Sequence, residues 1–212
     1  MPRPTNGVRT PDAIRDAAIE LFYEHGYEAT SLREVAAKVG IRVGSLYNHI
    51  SGKDELLSNI MVGIMDDLLA VQRAVVKQHK NDALACLKAS IDTHIRFHAT
   101  RAHEVFIGNS ELRALPPKLR RRVVTKRDQY EELIRGIIER LDAEGHAKVL
   151  NPRLQTFAIV AIGTHVSGWY KPRGAMSLDE IVATYTEMIL RQLGLGVDTA
   201  VIATEASAGA PA

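Results

Sequence analysis

Three groups of polar side chains in this sequence have the types and spacing to do chemistry. Tyr47-Asn48-His49, with Lys53 four residues after His49, gathers a phenol, an amide, an imidazole and an ammonium. The phenol, imidazole and ammonium can donate to phosphate oxygens, and an amide can pair with base edges, so this cluster suits nucleic acid. A second group, Lys118, Arg120, Arg121, Arg122, Lys126 and Arg127, packs six cations into one stretch. Guanidinium forks chelate pairs of phosphate oxygens; the same run also serves as a solvated helix face balanced by Asp128, Glu131 and Glu132. The third group is His94 and His98, one helical turn apart, with His103-Glu104 close behind. That spacing can hold a zinc ion on one helix face, form the polar wall of a pocket, or carry no specific role. The chain has no phosphate-cradling Gly-rich loop and no nucleophile elbow, so no catalytic residue, metal ligand or cofactor is assigned and an enzyme is not expected.

These groups need elements to position them, and the pattern predicts helix throughout, an all-α fold. The 212 residues can bury one good core, or one small and one larger domain. Lys and Arg number 27 against 25 Asp and Glu, so there is no basic coat, and any DNA contact must come from a local patch. Cys86 is the single cysteine and cannot form an internal disulfide, which fits a reducing cytosol. The opening MPRPTNGVRTPD has no apolar signal region, and no apolar run reaches about 18 residues. A soluble cytoplasmic protein without a membrane partner is therefore expected.

Residues 1–9 read as a flexible arm. Thr10-Pro11-Asp12 starts a helix that stops at Gly26, and Ser31 with Glu34 forms a capping box for a second, ending at Gly40. A third short helix is expected from Arg42 to His49, and a fourth capped by Ser51 and Asp54 and reaching about His79. Longer blocks follow at 82–100, 103–109, 117–144, from Asn151-Pro152 to Trp169-Tyr170, and from Ser177 to Gly194. The Ala- and Gly-rich end, 195–212, reads as a disordered tail.

Two helices joined at Gly40-Ile41 have helix-turn-helix organisation, with Val35, Ala36, Val39, Ile41 and Leu46 as a small core. Gly44, without a Cβ, would let the backbone approach DNA. From Arg33 to Lys53 the basic residues Arg33, Lys38, Arg42 and Lys53 face one acid, Glu34, so positive charge is focused here. The stretch Thr30–Leu57 resembles the DNA-binding signature of the tetracycline-repressor (TetR) family. The likeness runs over about residues 10–57, through Gly26-Tyr27, Thr30-Ser31, Val35-Ala36, Gly40-Ile41, Gly44-Ser45-Leu46-Tyr47, His49, Lys53 and Leu56-Leu57. It implies that Thr30, Ser31, Tyr47, His49 and Lys53 grip the phosphate backbone of an operator. Arg42, Val43, Gly44, Ser45 and Asn48 would lie nearest the bases. Arg42 stands where the family often has a small hydroxyl residue, and Ile50 where it usually has Phe.

The remainder, 56–194, is expected to dimerise the reader and to sense a ligand. In TFAIVAIGTHVSGWY, Thr156 to Tyr170, a stripe of Ala158, Ala161, His165 and Gly168 is small enough for close helix packing. The last helix adds Ile181, Val182, Tyr185, Met188, Ile189 and Leu193. The resemblance implies a homodimer seam from these two helices, with Tyr185 and Ile189 in it. Residues 104–175 are also similar to TetR regulators that respond to acyl-CoA thioesters of fatty-acid or steroid catabolism, through Arg127-Asp128-x-Tyr130-Glu131 and Trp169-Tyr170. Thr164-His165 stands where members often have Asn-Trp. A small-molecule effector with an apolar acyl part would suit a cavity lined by Phe97, His98, Phe106, Ile107, Tyr130 and Trp169, with Arg122 and Arg127 toward its phosphates. The expected protein is a DNA-binding regulator released from a pseudo-palindromic operator by that effector; a large domain serving assembly alone is the alternative.

These roles predict that Tyr47→Ala or Lys53→Ala weakens binding to all DNA sequences alike and lowers the salt dependence, whereas changes at Val43 or Asn48 alter base preference. Affinities for operator and scrambled duplexes at two salt concentrations check this; identical behaviour of all four variants would contradict the assigned roles.

Overall fold

The computed structural model describes residues 10–195, so the expected arm and all but the first residue of the expected tail lie outside the described residues. Leu195 is not tail-like: it is buried, and its amide donates to the Leu190 carbonyl. Nine α-helices follow one another, with no strand among the described residues. They are α1 (Thr10–His25), α2 (Leu32–Val39), α3 (Val43–Leu46), α4 (Lys53–Gln78), α5 (Ala83–Thr100), α6 (Ala102–Ser110), α7 (Pro117–Ala143), α8 (Pro152–His165) and α9 (Leu178–Gln192). Short 3₁₀ turns sit at Leu112–Ala114 and Val166–Gly168. None of the described helices is long and apolar enough to cross a membrane.

Local signals account for most boundaries. Ser31 caps α2, accepting from the Glu34 amide at 3.3 Å while its own amide donates to the Glu34 carboxylate at 2.7 Å. Gly40 ends α2 at φ 77°, a left-handed conformation that favours glycine, and Ile41 N–H returns to the Ala36 carbonyl. Ser177 and Glu180 form a second capping box at α9. Three boundaries differ from expectation. Helix α8 ends at His165, and a 3₁₀ turn at Val166–Gly168 stands where helix was expected as far as Trp169-Tyr170. Helix α4 begins one residue late, after Gly52, so Ser51 pairs with Glu55, while Asp54 accepts the Tyr27 hydroxyl. Helix α3 has one turn only; Arg42 precedes it without a side-chain cap, and the chain tightens into a turn at Tyr47–His49.

The helices enclose two apolar cores. One gathers Ile14, Ala18 and Phe22 of α1, Val35 and Ala36 of α2, Leu46, and Leu57, Ile60 and Met61 from the start of α4. It continues into Ile107 of α6 and Val123 of α7, so the helix-turn-helix unit is not closed off at residue 55. The other gathers Leu68 and Leu69 of α4 with Leu87, Ile91 and Ile95 of α5, Ile134, Ile138 and Leu141 of α7, Ile159 of α8, and Ile181 and Ile189 of α9. Helix α4 thus belongs to both.

Where α5 meets α8 the spacing is set by one glycine. A Cβ on Gly163 would lie 2.1 Å from His94 Cδ2 and 2.7 Å from its Nε2. Gly136, by contrast, is exposed on α7 with nothing within 4 Å of its missing Cβ. Gly163→Ala should therefore lower stability by about 1–3 kcal/mol through overpacking. Gly136→Ala should raise it by about 0.5–1 kcal/mol through helix propensity. Urea unfolding of both variants checks the pair, and a shift of the same sign in both would refute the packing described.

Candidate DNA interface and effector cavity

The residues expected nearest DNA form an exposed ridge over α3 and the turn after it. Arg42, Gly44, Ser45, Tyr47, Asn48 and His49 are exposed, and Val43 is half-buried beneath them. The side chains of Arg42, Ser45, Tyr47, Asn48 and His49 have no hydrogen-bond partner among the described residues. Nothing in the chain lies within 4 Å of a Cβ built on Gly44, so internal packing does not require glycine there.

Two expected phosphate contacts are turned inward. Thr30 is buried, and its hydroxyl donates to the Gly26 carbonyl at 2.9 Å and the Leu21 carbonyl at 3.2 Å. It joins the end of α1 to the start of α2 and does not face a ligand. Lys53 Nζ donates to the carbonyls of Tyr27, Glu28 and Thr30 at 2.9, 3.3 and 3.1 Å, and stands 4.3 Å from the centre of the Tyr27 ring. Its ammonium therefore fastens the α1–α2 loop to the start of α4, a role sequence spacing did not reveal. Weaker DNA binding in Lys53→Ala would thus come from a loosened reader and leave the salt dependence unchanged. Ser31 remains exposed with its hydroxyl in the capping box.

Between α4, α5, α6, α7 and α8 lies a cavity of about 260 Å³. Met61, Ile64, Met65 and Leu68 of α4 supply one wall, His94, Phe97 and His98 of α5 a second, and Val123, Arg127, Tyr130 and Glu131 of α7 a third. Met61 and Val123 also belong to the core of the helix-turn-helix unit, so a single layer of side chains separates that core from the cavity. Phe97, His98, Arg127 and Tyr130 are the expected ligand residues that line it.

Four others do not, one of them Ile107, which is buried in the core of the helix-turn-helix unit. Arg122 lies five residues before Arg127, about 140° round the helix, and is exposed. Its charge lies on the side of Glu55, where it contributes to holding that carboxyl below its ordinary range, after the stronger hydrogen bonds from Ser51. Phe106 packs edge-on to Tyr23 of α1 at 5.3 Å. Trp169 stands edge-on to Tyr185 of α9 at 6.5 Å, outside the cavity. Nor do the six cations of the basic run converge: Lys126 pairs with Asp66 of α4 at 2.6 Å, and only Arg127 reaches the cavity.

Most of the cavity's polar groups are neutral or already paired. The exception is Glu131, which has no hydrogen-bond or ion-pair partner among the described residues and whose carboxyl is pushed up by burial and by Asp128. His94 and His98 are buried; burial pushes His98 down to about 4 and, with His98 beside it, holds His94 well below the ordinary imidazole range. The Tyr130 hydroxyl lies 2.7 Å from His94 Nδ1 and accepts from Gln72 Nε2 of α4 at 3.2 Å. Burial pushes Tyr130 well up, so it keeps its proton. Gln72 is a polar residue within the apolar stripe of α4, and that misfit was the available signal for this network. His103 stacks on Tyr23 at 3.8 Å, away from the His94–His98 pair, so the three histidines do not share a site.

Arg127 is partly desolvated, which lowers its pKa, and its Nη2 donates to the Gly108 carbonyl at 2.7 Å. Glu104 borders the cavity and accepts from Arg15 of α1 and from Arg101, each at 2.5 Å. Arg101 reaches Asp67 of α4 at 2.6 Å. One carboxylate at the cavity wall is thereby tied to α1 directly and to α4 through a guanidinium.

On the outer side of α8 and α9, Ala161, His165 and Gly168 are exposed, Ala158 and Tyr185 are half-buried, and Ala161 also borders the cavity. Ile189 is the exception among the expected seam residues. It is buried at 1% exposure in the chain's own core, and its neighbour Met188, one helix step of about 100° away, faces outward at 50%. Leu154 and Phe157, at 63% and 39%, extend the exposed apolar face.

Residues 14–60 match the family described as bacterial regulatory proteins, tetR family, and residues 80–193, more than half of the chain, match the tetracyclin repressor-like C-terminal domain. The HTH-type transcriptional repressor KstR2 of Rhodococcus jostii (strain RHA1) is 28% identical over 184 residues, 84% of this chain and 87% of that protein. A crystal structure of a tetR-family regulatory protein from Rhodococcus RHA1 superposes with a TM-score of 0.83 at 28% identity, covering 91% of this chain and 100% of the other. AibR in complex with isovaleryl coenzyme A and operator DNA shares the fold at 24% identity, with a TM-score of 0.74 over 84% of this chain and 96% of that one. The chain belongs to the tetR family: it is an all-helical transcriptional regulator and not an enzyme.

Proposed function

We propose that this chain is a dimeric, cytoplasmic repressor that binds a pseudo-palindromic operator and is released when a small apolar effector enters the α4–α8 cavity. The observation that carries the reading is the wall shared by Met61 and Val123, which places the cavity against the core of the DNA-binding unit. An occupant that displaces this wall, or the Glu104 carboxylate tied to Arg15, acts on α1 and α4 together. Repression is favoured by the likeness to KstR2, named a transcriptional repressor. DNA contact is assigned to Ser31, Arg42, Val43, Gly44, Ser45, Tyr47, Asn48 and His49. Dimerisation is assigned to Leu154, Ala158, Ala161, His165, Gly168 and Met188, which would hold two readers about one DNA turn, roughly 34 Å, apart.

An acyl-CoA thioester is the effector class this reading favours, since AibR, of the same fold, was solved with isovaleryl coenzyme A. The cavity of about 260 Å³ is just below the roughly 300–1,000 Å³ that encloses a drug-sized ligand. It suits an acyl group with the nucleotide left outside, and Arg127 is the cation that borders it. A free apolar ligand without CoA is the second reading, favoured by the failure of the basic run to converge on the cavity. Operator binding at fixed salt, titrated with CoA thioesters, their free acids and CoA alone, separates the two. Release by a thioester and not by its free acid is the expected result. Release by the free acid alone would support the second reading, and operator binding indifferent to the whole panel would leave the CoA reading without support.

A further inference from the structure

The cavity wall holds one lone pair that the protein leaves without a good partner. His98 Nδ1 lies 2.8 Å from the His94 carbonyl. A carbonyl only accepts, so Nδ1 carries the proton and, in a neutral ring, Nε2 carries the lone pair. The hydrogen-bond neighbour of that Nε2 among the described residues is Thr164 Oγ1, at 3.4 Å, near the limit for any such bond. His94 offers no relief. Its Nε2 lies 3.1 Å from the Val160 carbonyl and must donate to it, so its Nδ1 accepts the Tyr130 proton. Both nitrogens of His94 and the Tyr130 hydroxyl are thereby committed. What remains on this wall is an acceptor, His98 Nε2, beside the Thr164 hydroxyl, which lies at a long 3.4 Å from Nε2 of both histidines. His98 is only 6% exposed and borders the cavity, so an occupant that displaces water from the cavity must itself supply the missing bond.

We propose that this wall selects an effector bearing an uncharged hydroxyl on the part held in the cavity, donating to His98 Nε2 and accepting from Thr164. The inference rests on the reading of the cavity as the effector site. A hydroxyl satisfies both protein groups at once. A carbonyl would take the Thr164 proton but turn its own lone pairs on that of His98. A carboxylate would bring charge to a wall whose imidazoles are neutral, with Arg127 engaged on the α6 side at Gly108. A bare hydrocarbon would leave both groups unpaired.

Calorimetry on the full chain without DNA, using decalin, decalol, decalone and decalin carboxylate as probes, tests this. Decalol should bind about tenfold tighter than decalin, as one well-made buried hydrogen bond allows. In His98→Phe and in Thr164→Val the preference should vanish while decalin keeps its affinity, and either variant suffices if the other does not fold. Proton–nitrogen correlation spectra of the imidazoles should show the His98 Nε2 resonance moving with decalol and not with decalin. Equal affinities, tighter binding of the ketone or carboxylate, a preference that survives both substitutions, or no binding by any probe would overturn the inference. Release of operator by thioesters with no hydroxyl preference would sink this inference alone. A hydroxyl preference at His98 with no effect on operator binding would instead sink the proposed function.

Discussion

One rigid element serving two cores is the constraint on which the molecule depends. Helix α4 has 26 residues, about 39 Å at the usual rise. Its first turns place Leu57, Ile60 and Met61 in the core of the DNA-binding unit, and its middle places Leu68 and Leu69 in the core of the larger unit. A packed helix of this length does not absorb a local push by bending freely, because each face is fixed by close-packed neighbours. Lys53 strengthens the link by holding three carbonyls of the α1–α2 loop against the first turn of α4. The cavity opens along the same rod, so whatever fills it bears on a part already committed to positioning the reader.

The polar chemistry beside that rod is arranged without buried charge at its centre. Gln72 of α4, Tyr130 of α7 and His94 of α5 form a chain of neutral hydrogen bonds that ends on the Val160 carbonyl of α8. Four helices are thereby held in one register at the cavity wall. A charged triad there would carry a desolvation cost that its mutual attraction rarely offsets, whereas these neutral hydrogen bonds fix geometry at lower cost, with Gln72 Oε1 the one acceptor of the chain left without a partner. Charge enters at the margin, where Glu104 joins Arg15 and Arg101. The absence of a Cβ on Gly163 completes the design, since only glycine lets α8 approach the His94 ring so closely.

Much of this was legible in the sequence. Capping residues such as Ser31, Asp82, Asn151 and Ser177 act over three residues, so the helix starts they mark stand as read. The α3 ridge was legible because Gly40, Gly44 and Tyr47-Asn48-His49 follow in a fixed order within one short segment. What failed was tied to helix phase and distant packing. Arg122 and Arg127 share a charge run but not a face, and Ile189 and Met188 differ by one position but face opposite ways. The inward turn of Thr30 and the three-carbonyl grip of Lys53 depend on a loop whose path a linear reading does not give. Trp169 and Phe106 suit an apolar cavity lining by type, yet each packs on an aromatic partner from another helix. Gly163 and Gln72 carried no local signal of their importance beyond being out of character with their surroundings.

The proposed competition between cavity and operator runs through the shared α4 wall. Its most direct test is to measure the affinity of the tightest-binding thioester for the free protein and for the protein saturated with operator DNA. Binding free energies are reciprocal, so a ligand that weakens DNA binding must itself bind the DNA complex more weakly by the same factor. The account predicts a loss of about 5- to 150-fold, the usual range of such coupling. Equal affinity for the free and operator-bound protein would contradict it, showing that the cavity and the reader are independent.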